Sequence, residues 1–189
     1  MLEPQPSIEL FGLVIQEPVN TLTDIFVSII CFVAYLKLNA LSQRSEVQGL
    51  FKYYFPSMSL ATLLGGVLGH ALMHFVPFYM KLPGWITSML SVALLERALI
   101  QYSRKWIDPK IGAFFSKLNI IELLAFLILL LVTLNFQFVL IHAAYGIAIV
   151  VTGFTGFVYF KKKIWGASKY YMQCGSVLLV HSFLFSKLG

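Results

Sequence analysis

Near the start of the chain, Glu17, Asn20, Asp24, Ser28 and Cys31 recur in steps of three, four, four and three. That spacing puts them on one face of a helix. Carboxylates on such a face can act as a general base or orient an imidazole bound to a metal. The imidazoles come from four histidines. His70 and His74 stand four residues apart, where two rings on one helix face can reach one metal ion. Ser59, Thr62 and Gly66 continue that stripe backwards. His142 precedes Tyr145 and Gly146, and His181 follows Gln173 by eight positions. Asp24 and Glu17 are therefore the candidate catalytic residues. His70, His142, His181 and His74 are the candidate metal ligands, with Asn20 as polar support. Each has a plainer reading too. Glu17 or Asn20 can cap a helix, Asp24 can snorkel to an interface, and each histidine can hydrogen-bond a neighbouring helix.

The elements that carry these residues follow from composition. The chain has 189 residues, 59% hydrophobic and 12% charged. Soluble domains run about 45–50% apolar and roughly 25% charged. Disordered chains, rods, disulfide-rich scaffolds and most soluble enzymes are excluded. An all-α, polytopic transmembrane bundle of about six helices remains, since backbone groups in lipid must be satisfied internally. The apolar runs place spans at about 20–38, 55–75, 84–101, 118–134, 137–160 and 170–188, within one domain covering 1–189. Cys31 and Cys174 each lie inside an apolar run and read as small hydrophobes, not as a disulfide. The N-terminus lacks the basic region of a cleavable signal peptide.

Loop charges give the orientation. The N-terminal segment holds Glu3, Glu9 and Glu17 and no base. Lys37, Arg44 and Lys52 fill the first loop, Arg104, Lys105, Lys110 and Lys117 the third, and Lys161, Lys162, Lys163 and Lys169 the fifth. The second loop holds Lys81 and the fourth none. Odd loops are then cytoplasmic and the N-terminus is outside. All four histidines and the acidic face of the first helix fall in the outer half of the membrane. That depth suggests a shared polar site built by the first, second, fifth and sixth helices. The remaining intramembrane charges are Glu96, Arg97 and Glu122. Arg97 is expected to snorkel, and Glu96 or Glu122 to pair with a loop base; a conduction path through Glu96 is the alternative. There is no Gly-rich phosphate loop, nucleophile elbow or zinc-protease motif, and nothing points to nucleic acid.

The stretch Glu17-x-x-Asn20-Thr21-x-Thr23-Asp24 resembles the start of the first helix in alkaline ceramidases, seven-helix membrane proteins of the CREST superfamily. Gly65-Gly66-Val67-Leu68-Gly69-His70, Leu82-Pro83 and His142-Ala143-Ala144-Tyr145-Gly146 resemble stretches of its second, third and fifth helices. The resemblance implies that His70 is a zinc ligand and that Glu17 matches an acid at an N-terminal calcium site. Gly66 stands where the family motif has Ser, and Met80-Lys81 where it has Asp before Leu-Pro. The family's other zinc histidines lie in a seventh helix, so His142 or His181 would have to replace them.

Two functions follow as expectations. The first is an integral, multi-pass membrane protein on a ceramidase-like scaffold, whose outer His/carboxylate site binds a membrane lipid or a metal. The alternative is a zinc-dependent hydrolase acting on a lipid amide or ester, with zinc as its cofactor and Asp24 or Glu17 as base.

Overall fold

The computed structural model describes residues 6–41 and 45–162. The expected span at 170–188, with His181, Gln173 and Cys174, lies outside the described residues.

The chain opens with a β-hairpin, strands β1 (Ser7–Leu10) and β2 (Leu13–Gln16), paired antiparallel with Ser7 opposite Gln16 and Leu10 opposite Leu13. Phe11 and Gly12 form its two-residue turn, with φ of 51° and 80°. Two consecutive positive φ values match the twist that a tight hairpin needs. The Glu17 N–H donates to the Pro6 carbonyl at 2.8 Å and closes the open end of the hairpin.

Helix α1 (Pro18–Asn39) follows at once. Pro18 suits the first turn, where its missing N–H has no partner to lose. Helix α2 (Glu46–Leu64) begins with a capping box, in which Ser45 and Gln48 bond each other's backbone N–H. It starts well ahead of the apolar run that opens at Phe55. It continues into a π-helical turn, Gly65–Ala71, and ends. A short 3-10 turn, Phe78–Lys81, leads into α3 (Leu82–Ser103). Helix α4 (Pro109–Thr133) starts at an Asp108 cap, whose side chain accepts from Lys110 N–H at 2.7 Å. After the break at 134–136, α5 (Gln137–Tyr145), a π turn (Gly146–Val151) and α6 (Thr152–Lys162) run on as one rod.

Among the described residues, four helical stretches are long and apolar enough to cross a membrane: Pro18–Asn39, Phe78–Ser103, Pro109–Thr133 and Gln137–Lys161. The protein is thus a membrane-embedded helical bundle. Helix α3 is its centre. Met89, Ser91, Ala98, Leu99 and Ile100 are almost wholly buried there. By contrast, Ile121, Ile128 and Val132 of α4 are exposed, as lipid-facing residues should be. One core cluster joins Cys31, Tyr54, Met58, Leu95, Leu99 and Val151; a second joins Met89, Leu130 and Val139. In lipid, such clusters hold helices by close packing, because the tails offer an equally apolar alternative.

Helices α1 and α2 are also clasped by polar bonds. The Ser28 hydroxyl donates to the Ser59 carbonyl at 2.8 Å and the Ser59 hydroxyl to the Ser28 carbonyl at 2.9 Å. The stripe that the sequence places on α1 therefore faces α2.

Candidate functional site

The polar residues of the bundle gather in two separate clusters. The first is built at the start of α1. Glu17 occupies the left-handed region with φ 45°, a conformation that costs a non-glycine residue about 1–2 kcal/mol. It is the capping residue of α1 by position, yet its side chain makes no capping bond. The carboxylate is spent elsewhere. Glu17 Oε2 accepts from Asn20 Nδ2 at 2.8 Å and lies 2.6 Å from His70 Nδ1. Across the ring, His70 Nε2 lies 3.7 Å from Asp24 Oδ2. The imidazole therefore stands between two carboxylates about two turns apart, one from the residue that caps α1 and one from within it. Its side chain is 33% exposed, and both acids are 13% exposed.

Two local features bring His70 to that place. The π turn holds it, with Leu72 N–H bonding the Val67 carbonyl five residues back at 2.9 Å. Such wide turns recur at functional sites. Gly66, in the same turn, lets α1 approach. A Cβ there would sit 2.9 Å from Asp24 Cβ and 3.2 Å from the Thr21 carbonyl oxygen. The position that carries Ser in the ceramidase motif thus has no room for a side chain in this chain.

His74 does not join this site. The helix ends at Ala71, between the two histidines, so their four-residue spacing no longer puts them on one face. His74 is exposed and its ring lies against Phe75, centroids 3.8 Å apart.

His142 belongs to the second cluster. Its Nδ1 lies 2.6 Å from Glu122 Oε1 and its Nε2 3.0 Å from the Met89 carbonyl oxygen. Glu96 completes the group, and one ligand atom from each of Glu96, Glu122 and His142 lies within 4.8 Å of the others. Glu96 and His142 are fully buried, and the Glu122 side chain is 9% exposed. Asn119 Nδ2 donates to Glu96 Oε2 at 3.0 Å. Gly146 opens the second π turn directly against Glu96 Oε1, where a methyl group would collide with the carboxylate. Both ring nitrogens of His142 face acceptors. A proton must therefore sit on Nε2 and another between Nδ1 and Glu122.

This second cluster departs from two expectations. Among the described residues, Glu96 and Glu122 pair with no loop base; they meet His142. Nor does His142 share a partner with His70 among the described residues, so the two do not form one ligand set. The neighbouring Arg97 donates to the Ser116 carbonyl at 2.6 Å. The sequence signal was present in α4. Asp108-Pro109 marks a helix start, and counting from it puts Glu122 about midway along a 25-residue helix, not at its end. Asn119 and Glu122 then share one buried face.

No curated protein and no solved structure matches the chain. The model of a family of unknown function, DUF6962, matches residues 19–189, which takes in Asn20, Asp24 and His70 of the first cluster and the whole of the second. With nearly its full length matched, the chain belongs to that family.

Proposed function

We propose that this membrane protein binds the polar group of a membrane lipid at Glu17, Asn20, Asp24 and His70. One observation carries the reading: an imidazole held between two carboxylates, 2.6 and 3.7 Å away, at the half-open start of α1. Acceptor-rich clusters of this kind suit a ligand that donates hydrogen bonds, such as a hydroxyl, amine or amide N–H. The surroundings suit its acyl chain. Val19, Leu22 and Phe26 are exposed along the same stretch of α1, and Ile8, Leu10 and Leu13 on the hairpin before it. The resemblance of this segment to alkaline ceramidases supports the same ligand class.

Photo-crosslinking tests the reading. A photoreactive lipid with a hydroxyl- and amide-bearing head group should label the protein in nanodiscs. Glu17→Gln or His70→Ala should lower the labelling about 10-fold or more, the scale of one lost charge-assisted hydrogen bond. Equal labelling of all three proteins contradicts the proposal.

The Glu17–His70 pair supports a second reading, hydrolysis of a lipid amide or ester. With Glu17 holding the proton on Nδ1, Nε2 is left to take a proton from an attacking water. In the zinc-dependent form, zinc would supply a water acidified by coordination. The described residues offer it His70, Asp24 and Glu17, since His142 belongs to the separate cluster with Glu96 and Glu122. Release of free fatty acid that disappears in His70→Ala favours this reading. Release that survives the substitution counts against it.

A further inference from the structure

We infer that Glu96, Glu122 and His142 form a buried site for one divalent transition-metal ion, separate from the lipid site. The three side chains come from α3, α4 and α5, and their ligand atoms already lie within 4.8 Å of one another. Among the described residues, two carboxylate oxygens there are buried without a hydrogen-bond partner, Glu96 Oε1 and Glu122 Oε2. Buried carboxylate oxygens with nothing to bind are expensive in a bilayer, and their presence points to a missing cation.

Two of the three ligands, Glu96 and His142, are already oriented by a neighbour. Asn119 donates to Glu96 Oε2, which leaves Oε1 for the ion. The Met89 carbonyl takes the proton on His142 Nε2, which leaves Nδ1 for the ion. A carbonyl or amide behind a ligand is the usual support of a metal site. Charge agrees with this assignment. One dication neutralises two carboxylates, whereas the neighbouring Arg97 is turned to the Ser116 carbonyl. Gly146, having no side chain, gives Glu96 Oε1 the room it occupies.

One imidazole and two carboxylates are a borderline-to-hard set, which suits zinc, manganese or iron over copper(I). Three protein ligands leave a further position for water. Ligands of a tetrahedral ion at about 2 Å are about 3.3 Å apart. The present Nδ1 to Oε1 distance of 2.6 Å must therefore open. The proton between them leaves to solvent as the ion enters, so uptake of each ion releases at least one proton.

Zinc loading of the purified full chain tests the inference. Protein in detergent micelles is stripped with a chelator, reloaded with zinc chloride, desalted and assayed for metal. Wild type should retain zinc. Glu96→Gln, Glu122→Gln and His142→Ala should each bind one fewer ion, with at least 100-fold weaker affinity at that site. Asn119→Ala, a gentler change, should weaken it about 10- to 100-fold. His70→Ala should keep this ion while losing lipid labelling, so the two sites fail separately. Calorimetry in two buffers should detect proton release on loading. Wild type that takes up no zinc overturns the inference. So does a folded Glu122→Gln protein that binds zinc as wild type does, or a zinc ion lost only with His70.

Discussion

His142 Nδ1 and Glu122 Oε1 lie 2.6 Å apart across α4 and α5, with His142 fully buried and Glu122 almost so. Deleting one partner of such a pair strands the other in a low-dielectric interior, at a cost of about 3–5 kcal/mol. Replacing both with apolar residues removes that penalty. We therefore expect His142→Leu alone to lower thermal stability in detergent far more than the double substitution His142→Leu/Glu122→Leu, measured on metal-free protein. A double substitution as damaging as the sum of the singles contradicts the pairing.

Gly66 and Gly69 separate packing from propensity. Both lie in the π turn after α2. A Cβ at Gly66 meets Asp24 Cβ at 2.9 Å, while one at Gly69 meets nothing within 4 Å. Gly66→Ala should cost about 1–3 kcal/mol by pushing α1 away. It should also reduce lipid labelling, because Asp24 moves with α1. Gly69→Ala should leave both unchanged or slightly improved. Unfolding midpoints and labelling yields of the two variants provide the comparison.

Ser28 and Ser59 exchange hydroxyl-to-carbonyl bonds between α1 and α2. Interhelical polar contacts in membranes average about 0.6 kcal/mol in double-mutant cycles. Ser28→Ala and Ser59→Ala should each destabilise modestly, and the double variant by clearly less than their sum. Strict additivity would show that the two hydroxyls do not cooperate.

His74 provides a control for His70. It is exposed and its ring lies tilted against Phe75, beyond the end of the helix. His74→Ala should leave lipid labelling and stability within error of wild type, while His70→Ala lowers labelling. A loss as large as that of His70→Ala would place His74 in the site.

Composition revealed the membrane-spanning helices because an apolar run long enough to cross a bilayer has few other uses. The stripe of Glu17, Asn20 and Asp24 was legible for a similar reason, since three polar residues at helical spacing define a face. Their partner His70 was named, but the pairing itself was not legible. It depends on a left-handed Glu17 and a π turn at Gly65–Ala71, neither of which leaves a mark in 3.6-residue periodicity. The pairing of Glu122 with His142 is hidden for a different reason. Lys110 and Lys117 bracket the first turns of α4, so Pro109–Lys117 reads as loop and Glu122 as a residue near the membrane boundary. The Asp108 cap shifts the helix start and carries Glu122 inward to His142.

A lipid held at the site around His70 should stay with the protein outside the bilayer. Native mass spectrometry of the protein released from micelles tests it most directly. Wild type should carry a bound lipid whose occupancy falls at least 10-fold in Glu17→Gln and His70→Ala and is unchanged in Glu122→Gln. A wild-type protein that emerges free of lipid, or a lipid retained equally by all four proteins, contradicts lipid binding at His70.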